Sequence, residues 1–205
     1  MGSNDRELEA KFYLQDKDKL EERLKTLGAD SVHGRVLETN LRFDTPDGVL
    51  GRTHQVLRLR KDTRVWLTYK SASEVQDGVF NRQEIEFEIS DFEAGQGFLA
   101  ALGYQVSVIY EKFRTTYSLD GLEVVIDELP YGDFLEIEGD EPQAIRACAA
   151  SLGLDWSAVL QQSYLGLFTV LREKMGFNFR DLTFENFRML QVGIDQLGIR
   201  PADQD

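Results

Sequence analysis

Two-residue alternation between apolar and charged side chains recurs along this chain, and no other feature limits its fold so sharply. In Glu7-Leu8-Glu9-Ala10-Lys11 it puts Glu7, Glu9 and Lys11 on one strand face and Leu8, Ala10 and Phe12 on the other. Arg58 and Arg60 alternate with Leu57 and Leu59, and Trp66, Thr68 and Lys70 with Val65, Leu67 and Tyr69. Arg82, Glu84, Glu86 and Glu88 alternate with Ile85, Phe87 and Ile89. Lys112-Phe113-Arg114 repeats the basic pair, Val125 and Asp127 alternate with Val124 and Ile126, and Glu136-Ile137-Glu138 repeats the acidic pair.

A half-solvated antiparallel sheet also alternates. Its wet face, however, usually mixes in Ser, Thr, Asn and Gln, whereas charge dominates here. Arginine, the residue suited to bidentate phosphate contact, is prominent among the bases. If such a sheet closes with its charges inward, the barrel is a charged tunnel and its apolar outside needs a coat. Helices are available for that coat. Asp16 to Leu27 carries Leu20, Leu24 and Leu27 on one stripe and ends at Gly28. Asp91 caps a second helix, ended by Gly103, and Asp140 with Pro142 opens a third, ended by Gly153. A fourth runs from about Ser163 to Met175.

Two carboxylates two strand residues apart can share a divalent cation, and a lysine one step further can hold an anion attached to it. All-oxygen ligands suit Mg²⁺ or Mn²⁺, and Mg²⁺ usually arrives with substrate phosphates. One cysteine and two histidines leave no Cys/His metal cluster.

These motifs, in this order, resemble the CYTH family, the triphosphate tunnel metalloenzymes. The family includes class IV adenylyl cyclases, thiamine triphosphatases and inorganic triphosphatases. The resemblance rests on Glu7-x-Glu9-x-Lys11, Phe43-Asp44-Thr45-Pro46-Asp47, Leu57-Arg58-Leu59-Arg60, Leu67-Thr68-Tyr69-Lys70 and Arg82-Gln83-Glu84-Ile85-Glu86. It continues with Glu111-Lys112-Phe113-Arg114, Val125-Ile126-Asp127, Gly132-Asp133-Phe134-Leu135-Glu136-Ile137-Glu138-Gly139 and Ser163-Tyr164, and is strongest to the prokaryotic class IV adenylyl cyclase-like branch.

The resemblance implies an α+β fold: an eight-stranded antiparallel β tunnel with a charged interior and helices outside. Glu7, Glu9, Glu136, Glu138 and Asp127 match the metal-binding acids. Lys11, Arg58, Arg60, Lys70, Lys112 and Arg114 match the phosphate-binding bases. Glu84, Glu86 and Glu88 either hold a second metal, orient water or balance neighbouring arginines. The implied activity is Mg²⁺- or Mn²⁺-dependent chemistry on a small triphosphate. Hydrolysis is slightly preferred over cyclisation of ATP to cyclic AMP, with a non-catalytic triphosphate-binding module as a third reading. One departure stands out. Where the family often has a tyrosine before Phe-Asp-Thr-Pro, this chain has Arg42.

Residues 1–172 read as one tunnel domain. The stretch 173–205 reads as an extension whose phenylalanines dock on that domain or on a second subunit of a homodimer, with a frayed acidic end. A net charge of −13 makes nucleic acid a poor partner, since the bases are gathered in the motif strands. No run of about 18 apolar residues is present, so no membrane span is expected. The first residues lack a signal-peptide core, so a cytoplasmic location is expected.

Overall fold

The computed structural model describes residues 3–204, with side chains from Leu8 onward apart from Gln76. Nine antiparallel strands form one sheet: β1 (Ser3–Leu14), β2 (Asp30–Asp44), β3 (Val56–Lys61), β4 (Val65–Lys70), β5 (Glu74–Gln76), β6 (Val79–Ile89), β7 (Gln105–Leu119), β8 (Leu122–Leu129) and β9 (Gly132–Glu138). Their order is β1-β9-β8-β7-β2-β3-β4-β6-β5, and β1 also pairs with β6. That last pairing closes a ring of eight strands. The expected count of eight is therefore the ring, and the ninth strand, β5, is an addition. It extends β4 along the same edge of β6, meeting Val79–Asn81 while β4 meets Glu84–Ile89. Three residues are too few to show a period in sequence.

Two hairpins share one turn chemistry. Asp77-Gly78 joins β5 to β6, and Asp120-Gly121 joins β7 to β8. All four residues have positive φ, between 52° and 86°, as a two-residue type I′ loop requires.

The outward faces of the ring carry the apolar half of each alternation. Ala10, Phe12, Ile126, Leu135 and Ile137 are buried under α1 (Lys17–Thr26) and α4 (Pro142–Ser151) through Leu20, Leu24, Ile145 and Ala149. Leu41, Phe43 and Leu59 are covered by Leu99 of α3 (Phe92–Ala101). Asp16 and Asp91 cap α1 and α3 as their sequences predict. The third long helix differs by one position: Glu141, not Asp140, stands at the N-cap, and no side chain caps it. Pro142 in the first turn has no N–H to leave unsatisfied there.

A third cluster lies where α5 (Tyr164–Met175), capped by Ser163, crosses the ends of β7, β8, β9 and β1. There the inward row changes character. Along β9 it runs Glu138, Glu136, Phe134; along β1, Glu9, Lys11, Tyr13; along β8, Asp127, Leu129. The apolar ends meet Tyr164, Leu167, Phe168 and Leu171 of α5. Apolar side chains from Phe177 to Ile199 pack on this cluster, while Ala202 is buried in the first one. Phe177 and Phe179 stack at 4.1 Å, short helix α6 (Phe184–Phe187) supplies Phe187, and α7 (Ile194–Leu197) supplies Leu197. The remaining short helix, α2 (Val49–Arg52), sits between β2 and β3. No helix among the described residues is long and apolar enough to cross a membrane.

Candidate active site inside the tunnel

The charged faces meet inside the ring, around a cavity of about 1340 Å³. Lys11, Arg58, Arg60, Lys70, Lys112 and Arg114 all line it, as do Glu9, Glu84, Glu86, Glu136 and Glu138. The Glu7 side chain lies outside the described residues; its backbone pairs with Arg82.

Each of the six bases is held by acids. Lys11 Nζ lies 2.7 Å from Glu136 and 3.6 Å from Glu9. Burial alone would lower the Lys11 pKa, but these two carboxylates outweigh it and hold the value above the usual range, so the ammonium stays charged. Arg114 donates to both oxygens of Asp127 at 2.7 and 2.6 Å and to Glu136 at 2.6 Å. Burial opposes ionisation of Glu136, yet Lys11 and Arg114 drive its pKa well below the ordinary carboxylate range. On the facing wall, Glu86 accepts from Arg58 at 3.2 Å, Arg60 at 3.1 Å and the Thr68 hydroxyl at 2.6 Å. Lys70 pairs with Glu84 at 3.2 Å.

Two of the predicted acids lie elsewhere. Asp127 is fully buried and does not line the cavity. Its carboxylate accepts from Lys112 Nζ at 2.8 Å, from Arg114, and from the Tyr164 hydroxyl at 2.9 Å. With its oxygens engaged beneath Tyr164, it serves Lys112 and Arg114 as an internal counter-ion. Glu88 is half exposed at the rim and pairs with Arg64 at 3.3 Å. Glu84, Glu86 and Glu88 each have a basic neighbour, Lys70, Arg58 with Arg60, and Arg64 respectively.

The motifs did not single out Glu38 or Tyr110. Glu38 is 2 % exposed, 3.5 Å from Lys112 and 3.9 Å from both Arg60 and Arg114. Tyr110 accepts from Arg58 at 3.4 Å. Both share strand parity with recognised positions, Glu38 four residues before Arg42 and Tyr110 two before Lys112, and that spacing is the signal that could have found them. Burial pushes the Glu38 pKa up, but Lys112, Arg114, Arg60 and Arg58 together bring it down to about 2 from 4.5. A depressed folded-state pKa contributes stability above the unfolded value, and that stability is lost as pH falls through the folded value. Glu38→Gln should therefore melt lower than wild type at neutral pH, with the gap closing as pH drops from 4.5 towards about 2. A gap that does not change with pH in thermal melts would contradict this account.

The acidic wall suits a hard cation. Glu9 on β1 stands opposite Glu138 on β9, which stands opposite Glu123 on β8. Like charges directly opposed across strands are destabilising, and a divalent ion beside them would relieve that cost. All three line the cavity, and all offer oxygen only, as Mg²⁺ and Mn²⁺ prefer. Among the described residues no three acids converge tightly enough to cage an ion by themselves. Oxygens of a bound ligand would complete the shell, a common arrangement for Mg²⁺.

The model of the CYTH domain matches residues 5–148. A candidate adenylate cyclase of Methanocaldococcus jannaschii is 31% identical over 134 residues, which cover 64% of this chain and 75% of that protein. A solved structure of a candidate adenylate cyclase from Vibrio parahaemolyticus superposes with a TM-score of 0.72 at 19% identity, over 82% of this chain and 99% of that one. Another, from Hippeastrum, gives a TM-score of 0.63 at 21% identity over 80% and 95% of the two chains; it is a candidate adenylyl cyclase that reveals a dominant triphosphatase activity. With the tunnel, its charged lining and the family match in agreement, the chain belongs to the CYTH domain family.

Proposed function

We propose that this chain is a divalent-metal-dependent triphosphatase that hydrolyses a small triphosphate inside the tunnel. The observation that carries the reading is the convergence of Lys11, Arg58, Arg60, Lys70, Lys112 and Arg114 on one cavity, with Glu9, Glu136, Glu138 and Glu123 gathered along β1, β9 and β8. Glu9, Glu136 and Glu138, with Glu7 from the same strand, are the residues that would hold Mg²⁺ or Mn²⁺. The ion, when bound, neutralises phosphate charge and polarises a P–O bond.

The bases do the rest. Arg58 and Arg60 grip phosphate oxygens from one wall, and Lys112 and Arg114 from the other. Each is already fixed by a carboxylate, so little reorganisation is needed as charge develops on the transferred group. Lys11, charged and buried beside Glu136, adds a fixed positive charge close to the acidic wall. Water attacks the terminal phosphorus, the anhydride bond breaks, and the shortened phosphate leaves with the bond's electron pair.

Incubation with inorganic triphosphate, ATP and thiamine triphosphate, each with Mg²⁺ or Mn²⁺, tests the reading through its products. Orthophosphate supports it. Cyclic AMP with pyrophosphate from ATP would establish the cyclase reading, which the M. jannaschii relative favours. No product from any of them, with binding intact, would leave a non-catalytic module. Glu9→Gln should keep the fold, because shape is retained, and lose metal-dependent turnover. Unchanged activity that also resists EDTA would remove Glu9 from the metal set.

A further inference from the structure

Arg42 differs from the other bases of the tunnel wall. Arg58, Arg60, Lys11, Lys112 and Arg114 each hold a carboxylate at 3.2 Å or closer. Arg42 lines the same cavity, yet among the described residues it has no acid within 4.0 Å. Asp44, the acid that acts on it from further off, is already engaged by the backbone N–H groups of Thr45, Leu50 and Gly51. Arg42 makes one hydrogen bond among the described residues, from Nη2 to the Gln55 carbonyl at 3.4 Å, and its Nε is buried without a partner. In register it stands directly opposite Arg58. Like charges so placed repel, and a buried charge without a partner is costly. Burial, with Arg58 and Arg82 nearby, holds the Arg42 pKa below its ordinary value. An anion at this point would relieve all of these costs.

The position of Arg42 indicates which anion. On β2, Val36 lies opposite Arg114, Glu38 opposite Lys112, and Arg42 opposite Arg58. From Val36 to Arg42 the strand rises about 20 Å. One P–O–P step advances a phosphate chain by less than the rise of one strand residue, so a triphosphate occupies a minor part of this ladder of bases. The cavity also continues past Arg42, to Gly51, His54 and Gln55.

We propose that Arg42 holds a phosphate beyond the three gripped by the clamp, which makes linear condensed phosphates of four or more units the preferred ligand class. This rests on the triphosphate reading above. The guanidinium fork matches a phosphate in bidentate fashion.

Calorimetric binding of inorganic tripolyphosphate and tetrapolyphosphate, in buffer stripped of divalent metal, tests the assignment. Wild type should bind tetrapolyphosphate about tenfold more tightly or better, the worth of one charge-assisted hydrogen bond. Arg42→Gln should erase that margin and leave tripolyphosphate affinity nearly unchanged. Because Arg42 pairs with no acid among the described residues, the unliganded melting temperature of Arg42→Gln should hold or rise. Three outcomes would overturn the assignment: equal affinity of wild type for the two chains, equal weakening of both by the substitution, or a lower melting temperature with the preference intact. If wild type binds tripolyphosphate without discriminating chain length, only the Arg42 assignment falls. If it binds neither, with Mg²⁺ restored as well as without it, the triphosphate reading falls too.

Discussion

Asp127→Asn should destabilise the protein by about 3–5 kcal/mol, the usual cost of breaking a buried ion pair from one side. Asp127 is fully buried, and it is the acid to which Lys112 and Arg114 both donate at 2.8 Å or closer. The asparagine keeps the shape but leaves two cations facing a neutral amide. Glu38 and Glu136 remain nearby, at 3.5 Å from Lys112 and 2.6 Å from Arg114, so the loss belongs near the lower end of that range. For a chain of this size, the melting temperature should fall by roughly 6 °C or more. Thermal melts without ligand check this. A melting temperature within a degree or two of wild type, together with lost metal dependence, would assign Asp127 to the metal set and refute the counter-ion role.

The largest effect on turnover is expected at Arg60. Removing one preorganised donor typically costs about 10²–10³ in kcat, or roughly 3–4 kcal/mol. Arg60→Ala should show a loss of that size on whichever triphosphate is the substrate. Of its three acidic partners, Glu86 retains Arg58, Glu38 retains Lys112, and Asp62, 3.4 Å away, retains the Arg64 backbone N–H. Stability should therefore change little. Arg60→Lys should recover only part of the rate, since a point charge cannot reproduce a bidentate fork. The rival view is that Arg60 only balances Glu86, which lies 3.1 Å away. Under that view the alanine variant would turn over normally and melt clearly lower, and measuring both quantities on one protein decides between them.

Much of this was legible because alternation fixes faces. Seeing Arg58, Arg60, Lys112 and Arg114 as inward required only parity and the need to cover Leu41, Leu59, Phe12 and Ile137 on the other side. Depth is another matter. Asp127 has the same parity as Val125, yet whether its carboxylate meets the cavity depends on Tyr164, a residue 37 positions later that closes over it. Parity carries no information about that contact. Closure of the ring was legible through the family resemblance and not through the local pattern, because the pairing of β1 with β6 joins segments far apart in the chain. The short helices α2, α6 and α7, four residues each, complete barely one turn and leave no periodic trace.

The ring also sets an order of events. β1 is made before both of its neighbours, β6 and β9, and it cannot be flanked on both sides until residue 138 is available. Such distant pairings impose a large loop-closure cost before they return any stability, which slows folding. Until then the chain presents a strand with open hydrogen-bonding edges, the condition under which nascent sheets recruit one another. Once closed, the ring gives every one of its eight strands a neighbour on both sides and leaves β5 with an open edge of three residues. Glu9 and Lys11 ride on that late-docking strand, so the acidic wall and the basic wall first face each other at the moment of closure. A polyanion bridging the walls would then act as a latch, stabilising the closed ring in proportion to its concentration above its dissociation constant.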